Sequence, residues 1–232
     1  MPMYEFNRCR CSGCNKNAMS TIDENDNIVS SGWCVDHVPD IEDIASKICS
    51  YMMRHDTIIG LNCPGLTIKD LNLNNKRFYG CNFQNCSFQN IHADGIRMRM
   101  GIYDGCTFTD CNFINSNIQF TSFAGSKLVH VILTGSDLVH INCNGVTVYQ
   151  SSFDDSDLYN SRFIKSVLMN TSMRNCNLKK TVFYNSVREH VSFKLSNTRE
   201  ALVDRNRGGL MGDFEASAPD EDILNSEERQ QI

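Results

Sequence analysis

The sequence predicts an all-β solenoid, a coil with four sides in which each side is five residues long. The first observation is a strict period. From Ile68 to Phe183 every fifth residue is apolar, with no gap in the series. An α-helix repeats every 3.6 residues and an ordinary strand every 2, so a period of five fits neither element. Four such pentads would make a turn of about 20 residues, with successive turns stacked at the parallel-strand spacing of about 4.8 Å.

The second observation is that residues 20 apart resemble one another. One column of the large inward positions is mostly aromatic, and its neighbour is largely aliphatic. A third observation is volume compensation: Gly101 precedes the bulky Tyr103, and Ile141 precedes the small Cys143. Close-packed interiors penalise both holes and overfilling, so these patterns favour stacked turns around a shared interior. The aromatic column is Phe83, Tyr103, Phe123, Cys143, Phe163 and Phe183.

Residues 1–38 precede the coil and contain a set of metal ligands. Cys11 and Cys14 form one closely spaced pair, and Cys34 and His37 form a second. Three thiolates and one imidazole make a tetrahedral zinc set, and four protein ligands indicate a structural ion. Cys9 is an alternate ligand, because the Cys9-Arg-Cys11 spacing leaves the choice of thiolates open. Four ordinary buried thiols, or a redox pair, are the alternatives.

The segments on either side of the coil are predicted to cover its ends. Residues 39–60 contain apolar side chains at helical spacing from Ile41 to Met52, with Asp40 as the N-cap, and form a capping helix and linker. The coil itself is assigned to residues 61–198. Residues 199–232 form a C-terminal cap, with a short helix over 198–207, followed by an acidic flexible tail.

Several segments resemble the pentapeptide-repeat family, over about residues 66–195. They are Cys81-Asn-Phe-Gln-Asn, Cys111-Asn-Phe-Ile-Asn, Ser136-Asp-Leu-Val-His, Ser156-Asp-Leu-Tyr-Asn and Cys176-Asn-Leu-Lys-Lys. The resemblance implies a right-handed quadrilateral β-helix of about six coils. It implies little about activity, because the family includes topoisomerase-protecting proteins and secreted bacterial effectors. Lys76, at a small inward position, and Arg188, at a large one, depart from the repeat.

Charge and composition exclude several classes of protein. The net charge is −5, which disfavours a nucleic-acid binder. Residues 61–198 carry 13 basic and 9 acidic side chains, whereas residues 199–232 carry 4 and 9. We expect a soluble, cytoplasmic protein without a membrane span or a classical export signal, because no apolar run approaches about 20 residues. Histidines fall on different sides of the coil or several turns apart, so no catalytic group is predicted.

One side of the coil is predicted to point basic, aromatic and aliphatic side chains outward. Arginine and aromatic residues are enriched at protein interfaces. Scattered apolar residues on a repeat surface are the alternative. The candidate partner-binding residues are Arg77, Arg97, Arg99, Met100, Phe120, Val139 and Tyr159, with His140, Lys179 and Lys180 beside them.

The sequence therefore favours a non-enzymatic module that binds a protein partner and carries a structural zinc ion. One alternative is a DNA-mimicking modulator of gyrase or another topoisomerase, although residues 61–198 have the wrong charge for it. Formation of a homodimer would favour the DNA-mimicking alternative. Another alternative is a secreted bacterial effector or a phage factor.

Overall fold

The computed structural model describes residues 7–204, in which a small N-terminal unit and one helix precede a long coil. The N-terminal unit contains an antiparallel hairpin, β1 (Ser20–Ile22) and β2 (Ile28–Ser30), followed by α1 (Ile41–Arg54). The coil strands are β3 (Thr57–Ile59), β4 (Thr67–Lys69), β5 (Arg77–Tyr79), β6 (Ser87–Gln89), β7 (Arg97–Arg99), β8 (Thr107–Thr109), β9 (Asn117–Gln119), β10 (Lys127–Val129), β11 (Thr147–Tyr149), β12 (Val167–Met169) and β13 (Val187–Glu189).

Every coil strand pairs in parallel with the strand 20 residues away. Arg77 lies opposite Arg97, and Lys127 opposite Thr147. We number the sides in chain order. Side 1 begins at 57–59 (β3, β5, β7, β9 and the bridges that continue them), side 2 at Asn62, side 3 at 67–69 (β4, β6, β8 and β10 to β13) and side 4 at Asn72. The predicted four-sided β-solenoid is thereby confirmed.

The coil has about seven turns, one more than the six predicted. Its first strand is β3, which lies within the segment that the sequence analysis assigned to helix and linker. Ile58 and Cys63 are fully buried and continue the apolar series toward the N-terminus, and Phe193 continues it toward the C-terminus. The extra turn therefore comes from pentads at both ends of the gap-free series.

The interior is dry and stacked. In the aromatic column, the ring of Tyr103 lies 5.4 Å from that of Phe83 and 5.5 Å from that of Phe123, nearly parallel to both. Several serines at the small inward positions are hydrogen-bonded in both directions. The Ser136 hydroxyl donates to the carbonyl of Phe113 at 2.9 Å and accepts from the backbone N–H of Ser116 at 3.0 Å. Such pairing removes the penalty that an unpartnered hydroxyl would pay inside the coil.

The corners hold one residue per pentad in the left-handed region. Glycine, asparagine and aspartate tolerate this conformation best, and they occupy many of the corners. The corner between sides 1 and 2, which we call the 1–2 corner, is different. It consists of Gly60, Gly80, Met100, Phe120, His140, Asn160, Lys180 and Glu200, all with φ between 53° and 69°.

Helix α1 closes the N-terminal end of the coil. Its N-cap is Asp40, as predicted, and the Asp40 carboxylate accepts a hydrogen bond from the backbone N–H of Asp43 at 2.8 Å. Ile48 and Met52 are buried and join the interior cluster of the coil. Lys76 departs from the repeat because its ammonium group donates to the carbonyl of Met53, at the end of the helix, at 2.9 Å. The helix is too short to cross a membrane, and no longer apolar helix occurs in residues 7–204.

The C-terminal end differs from the prediction of a short helix over 198–207. Residues 198–204 continue the coil instead: the backbone N–H of Leu202 donates to the carbonyl of Thr181 at 2.8 Å. The last complete turn ends in a strand edge with unpaired backbone groups. Hydrogen bonds between residues 198–204 and that edge outweigh the weak helical preference of these residues. Arg188 lies with its guanidinium 5.8 Å from the ring of Phe183 and 5.7 Å from that of Phe193. The predicted tail lies outside the described residues.

Gly101 provides a test of the predicted volume compensation. A Cβ atom added at Gly101 would lie 2.6 Å from Cε2 of the buried Tyr103 ring. We expect Gly101→Ala to lower the free energy of unfolding by about 1–3 kcal/mol, the range for overpacked cores. Urea denaturation of Gly101→Ala, Tyr103→Leu and the double variant would measure the coupling. The double variant should lose less stability than the sum of the single losses, and strict additivity would contradict this packing.

Candidate metal centre and interaction surface

Four side chains from two loops of the N-terminal unit meet at one point. The ligand atoms of Cys9, Cys14, Cys34 and His37 all lie within 4.8 Å of one another. The Sγ atoms of Cys14 and Cys34 are 3.8 Å apart. Nδ1 of His37 lies 3.6 Å from Sγ of Cys9 and 3.2 Å from Sγ of Cys34. Among the described residues, these four are the thiol, imidazole and carboxylate side chains that lie close enough together to bind one metal ion.

Three of the six separations lie near the edge lengths of a small tetrahedron. With Zn–S bonds of about 2.3 Å, two sulfur ligands in a regular tetrahedron stand about 3.7 Å apart, and a sulfur and a nitrogen slightly closer. The three measured distances lie near those values. The donor set and its dimensions therefore fit a closed four-ligand site for a divalent metal ion.

The backbone positions the four ligands through two tight turns. In the first loop, the N–H of Cys9 donates to the carbonyl of Lys16 at 3.0 Å, and the N–H of Cys14 donates to that of Cys11 at 3.1 Å. Gly13, at φ 77°, completes this turn. In the second loop, the N–H of His37 donates to the carbonyl of Cys34 at 3.0 Å. Each loop thus presents two of the four ligands.

Cys11, which the sequence analysis placed in the ligand set, lies outside this group. The structure brings the alternate ligand Cys9 to that position instead. Residues 11–13 form the turn itself, and Sγ of Cys11 contacts the carbonyl of Ser12 at 3.9 Å. Cys9 lies two residues before this turn, and its side chain is buried beside the second loop. Spacing alone does not separate the two, because either cysteine can pair with Cys14.

The surroundings of Cys9 favour the thiolate that a metal requires. Burial raises the pKa of Cys9, but hydrogen bonds from the backbone of Cys34 and Cys11, and from the side chains of Cys34 and His37, outweigh it and lower the pKa to about 6. Burial raises the pKa of Cys34. Backbone N–H groups directed at a sulfur stabilise negative charge there, as they would for a metal-bound thiolate.

The N-terminal unit, which contains the candidate metal ligands, is hydrogen-bonded to the first turn of the coil. The side-chain amide of Asn62 donates to the carbonyl of Ala18 at 2.8 Å, and the backbone N–H of Ser20 donates to the carbonyl of Asn62 at 2.6 Å. Gly65 allows close contact with the second loop, because an added Cβ would lie 2.7 Å from Cγ2 of Val35. The sequence analysis missed this junction, since nothing in the repeat distinguishes Asn62 from other outward asparagines.

The predicted partner-binding residues share side 1 and the 1–2 corner. Arg77 lies opposite Arg97, and Arg99 lies one residue before Met100 on the same strand edge. Val139 and Tyr159 follow on later turns of the same side. Phe120 is 57% exposed and Met100 is 49% exposed.

Aromatic contacts connect successive turns along this surface. The ring of Phe120 stacks on that of His140 with centroids 5.0 Å apart. The His140 ring meets that of Tyr159 edge to face at 6.0 Å, and the ammonium of Lys180 lies 5.5 Å from the centroid of the Tyr159 ring. The sequence analysis missed one residue of side 1, Ile59, which is 59% exposed on the first turn. Extending the five-residue register toward the N-terminus would have found it.

The coil histidines His130 and His140 lie on different corners and form no joint acid and base. His130 binds the carboxylate of Asp110 at 3.0 Å and the amide oxygen of Gln150 at 2.8 Å on the surface of side 3. The hydrogen bond to Asp110 is the main cause that raises the pKa of His130. His140 stacks on a different corner. These contacts join neighbouring turns, and no nucleophile stands beside either imidazole in the part of the chain described.

Comparisons with known proteins identify the repeat. The family described as Pentapeptide repeats matches in eight copies, over residues 106–145 and 151–187. A trypsin-treated variant of QnrB1, a plasmid-mediated fluoroquinolone resistance protein, is 16% identical; the match covers 61% of this chain and 79% of that chain with a TM-score of 0.40. HetL, a pentapeptide repeat protein involved in heterocyst differentiation regulation from the cyanobacterium Nostoc sp. strain PCC 7120, is 10% identical; coverage is 63% and 89%, and the TM-score is 0.42.

No curated protein sequence matches this chain. The repeat match, the apolar register of five and the observed four-sided coil agree with one another. Within this coil, residues 106–145 and 151–187 match the pentapeptide-repeat family.

Proposed function

We propose that the protein is a non-enzymatic interaction module in which a stiff coil presents side 1 and the 1–2 corner to a protein partner. The observation that carries the proposal is the placement of Met100 and Phe120. Both are large, exposed and apolar, and both adopt left-handed backbone conformations, with φ of 54° and 53°.

This placement is unfavourable for stability alone. A left-handed conformation costs roughly 1–2 kcal/mol for a residue with a Cβ atom. Glycine occupies the same corner at Gly60 and Gly80, where it avoids that cost. The exposed Phe120 ring gains little from burial in return. Binding to a partner, rather than stability of the fold, explains why these side chains lie at this corner.

The surroundings of the two residues have the composition of a binding surface. Arginines at 97 and 99 lie on the strand edge beside Met100, and the rings of His140 and Tyr159 extend the apolar strip by two turns. Aromatic, methionine and arginine side chains are enriched in protein interfaces, whereas acidic side chains are depleted. A partner with acidic and apolar groups fits this surface.

DNA mimicry finds no comparable support. A mimic of duplex DNA needs a dense negative field along its length. Over residues 57–204 side 1 has an excess of basic side chains, and on each of the other three sides acidic side chains exceed basic ones by one at most.

Four substitutions on side 1 test the interaction. We expect Arg97→Ser, Arg99→Ser, Phe120→Ser and Tyr159→Ser together to reduce partner capture by at least about tenfold, because loss of several interface anchors removes 1–2 kcal/mol or more. Affinity capture with quantitative mass spectrometry would measure the loss. The thermal midpoint should not fall, since none of the four side chains packs in the interior.

A matched variant on side 3 serves as the control. Lys69→Ser, Lys127→Ser, Val129→Ser and Tyr149→Ser make the same kind of change on outward positions of the opposite sheet. Partners bound through side 1 should be captured equally by this control. Equal capture by the side 1 variant and the wild type would remove side 1 as the binding surface.

We further propose that Cys9, Cys14, Cys34 and His37 hold a structural zinc ion. Sulfur and imidazole ligands in a closed tetrahedral set suit Zn²⁺, and residues 7–38 contribute few side chains to the interior. The ion would hold the two loops against Asn62 and so keep the cap on the coil. A reducing compartment such as the cytoplasm would keep these thiols available.

Cysteine substitutions distinguish the ligands. Cys9→Ser and Cys34→Ser should each lose bound zinc in native mass spectrometry, because each removes one of four ligands. Cys11→Ser is the matched control and should retain one zinc ion per chain. Cobalt in place of zinc should give the absorption of a tetrahedral site with three sulfur ligands in the wild type.

The stability of the N-terminal unit should follow the metal. Chelation is expected to speed hydrogen exchange in β1 and β2, while exchange in the middle turns of the coil stays unchanged. Zinc lost from Cys11→Ser and retained by Cys9→Ser would overturn the ligand assignment. Absence of zinc from the wild type purified without chelators would overturn the site.

A further inference from the structure

The charge of the coil is distributed unevenly among its four sides. The outward positions of side 1 and the 1–2 corner carry six basic and three acidic side chains over residues 57–204. Each of the other three sides, with the corner that follows it, carries two basic and two or three acidic side chains. The basic residues of side 1 are Arg77, Arg97, Arg99, Lys179, Lys180 and Arg199.

Two of the three acidic groups on this side are hydrogen-bonded to neighbouring turns. The carboxylate of Asp137 accepts from the side-chain amides of Asn117 and Gln119, and that of Asp157 accepts from the amide of Asn177 at 2.9 Å. Arg97 and Arg77 are exposed, by contrast. The third acidic group, Glu200, pairs with Lys179 at 3.2 Å. Arg99 and Lys180 donate only to the neutral side chains of Asn117 and Tyr159. The arginines and Lys180 therefore remain available to a carboxylate.

The chain leaves the described coil at the far end of side 2, one side away from this surface. Glu200 occupies the 1–2 corner, and Asp204 lies four residues farther along, at the far end of side 2. The Asp204 carboxylate accepts a hydrogen bond from the backbone N–H of Asn185. Residues 205–232 thus follow from a point one side away from the corner that carries Phe120 and Met100.

The sequence beyond that point complements side 1. Residues 213–228 contain seven acidic side chains and no basic ones, together with Phe214, Ile223 and Leu224. Met100 lies five turns from Glu200, about 24 Å along the coil at about 4.8 Å per turn. The residues between Asp204 and the start of this segment span about 30 Å when extended. Both its charge and its length allow it to reach the Arg97 and Arg99 strand.

We propose that the acidic segment 213–228 binds side 1 of its own chain along the 1–2 corner. This inference rests on the proposed function, because it takes side 1 as a binding surface. The carboxylates would face Arg97, Arg99 and Lys180, and the apolar residues would cover Phe120 and Met100. An external partner of acidic and apolar character would then compete with the segment, so that the chain itself regulates access to side 1.

Hydrogen exchange in the full-length protein tests this contact. Millisecond labelling with mass spectrometry would measure the amides of 213–228, normalised to the free peptide of the same sequence. We expect exchange in the wild type to be slowed by about threefold or more at ~0.1 M salt. The slowing should vanish at ~1 M salt, where the screening length falls from about 10 Å to about 3 Å.

Charge reversal locates the contact. Arg97→Glu with Arg99→Glu should abolish the slowing, and adding Asp220→Lys with Glu221→Lys should restore part of it. The control Lys69→Glu with Lys127→Glu, on side 3, should leave the slowing unchanged. An acidic segment that exchanges at the free-peptide rate in the wild type, or one whose slowing survives reversal of both arginines, would overturn the proposal.

Protein concentration separates the two possible arrangements. Slowing that is independent of concentration supports binding within one chain. Slowing that grows with concentration would assign the segment to a second copy and overturn the proposal as stated. The measurement uses purified protein without a partner, so its failure leaves the proposed function standing, and failure of partner capture leaves this contact standing.

Discussion

The parallel register of 20 residues is the constraint on which the rest of the structure depends. Each backbone N–H that points along the axis finds a carbonyl one turn away, and each inward side chain stacks on its counterpart in the next turn. A shift by one residue would turn the apolar series to solvent, as in any sheet with one buried face. Packing of the interior therefore fixes where each outward residue lies, whereas the identity of the outward residues is free to vary.

A coil of this kind has two ends that its own repeat cannot close. At the N-terminus, α1 places Ile48 and Met52 on the interior, and Lys76 binds the end of that helix. The hairpin and the metal-ligand loops add a second layer through Asn62. Repeat proteins derive much of their solubility from such caps, because a bare end exposes both apolar surface and unpaired strands. The cluster of Cys9, Cys14, Cys34 and His37 is thus part of the closure of the fold.

Much of this was predictable, because the coil repeats one simple rule. Burial of Phe83, Phe163 and their counterparts follows from the spacing alone, and α1 follows from its apolar spacing and its N-cap. The exchange of Cys9 for Cys11 was not predictable, since it depends on which residues form the turn before Cys14. Leu202 joined the coil because an unpaired strand edge was available, and local helical preference contains no information about that edge.

The corners show how function can be added to such a scaffold without disturbing it. A corner residue in the left-handed region points away from the interior, so its identity has little effect on the packing there. Asparagine or glycine is the least strained choice, and most corners follow that preference. Phe120 stacks on His140, and Lys180 lies over the ring of Tyr159, one turn away on the adjoining side 1. On the proposed function, the side chains at this corner that depart from the least strained choice are the ones that would contact a partner.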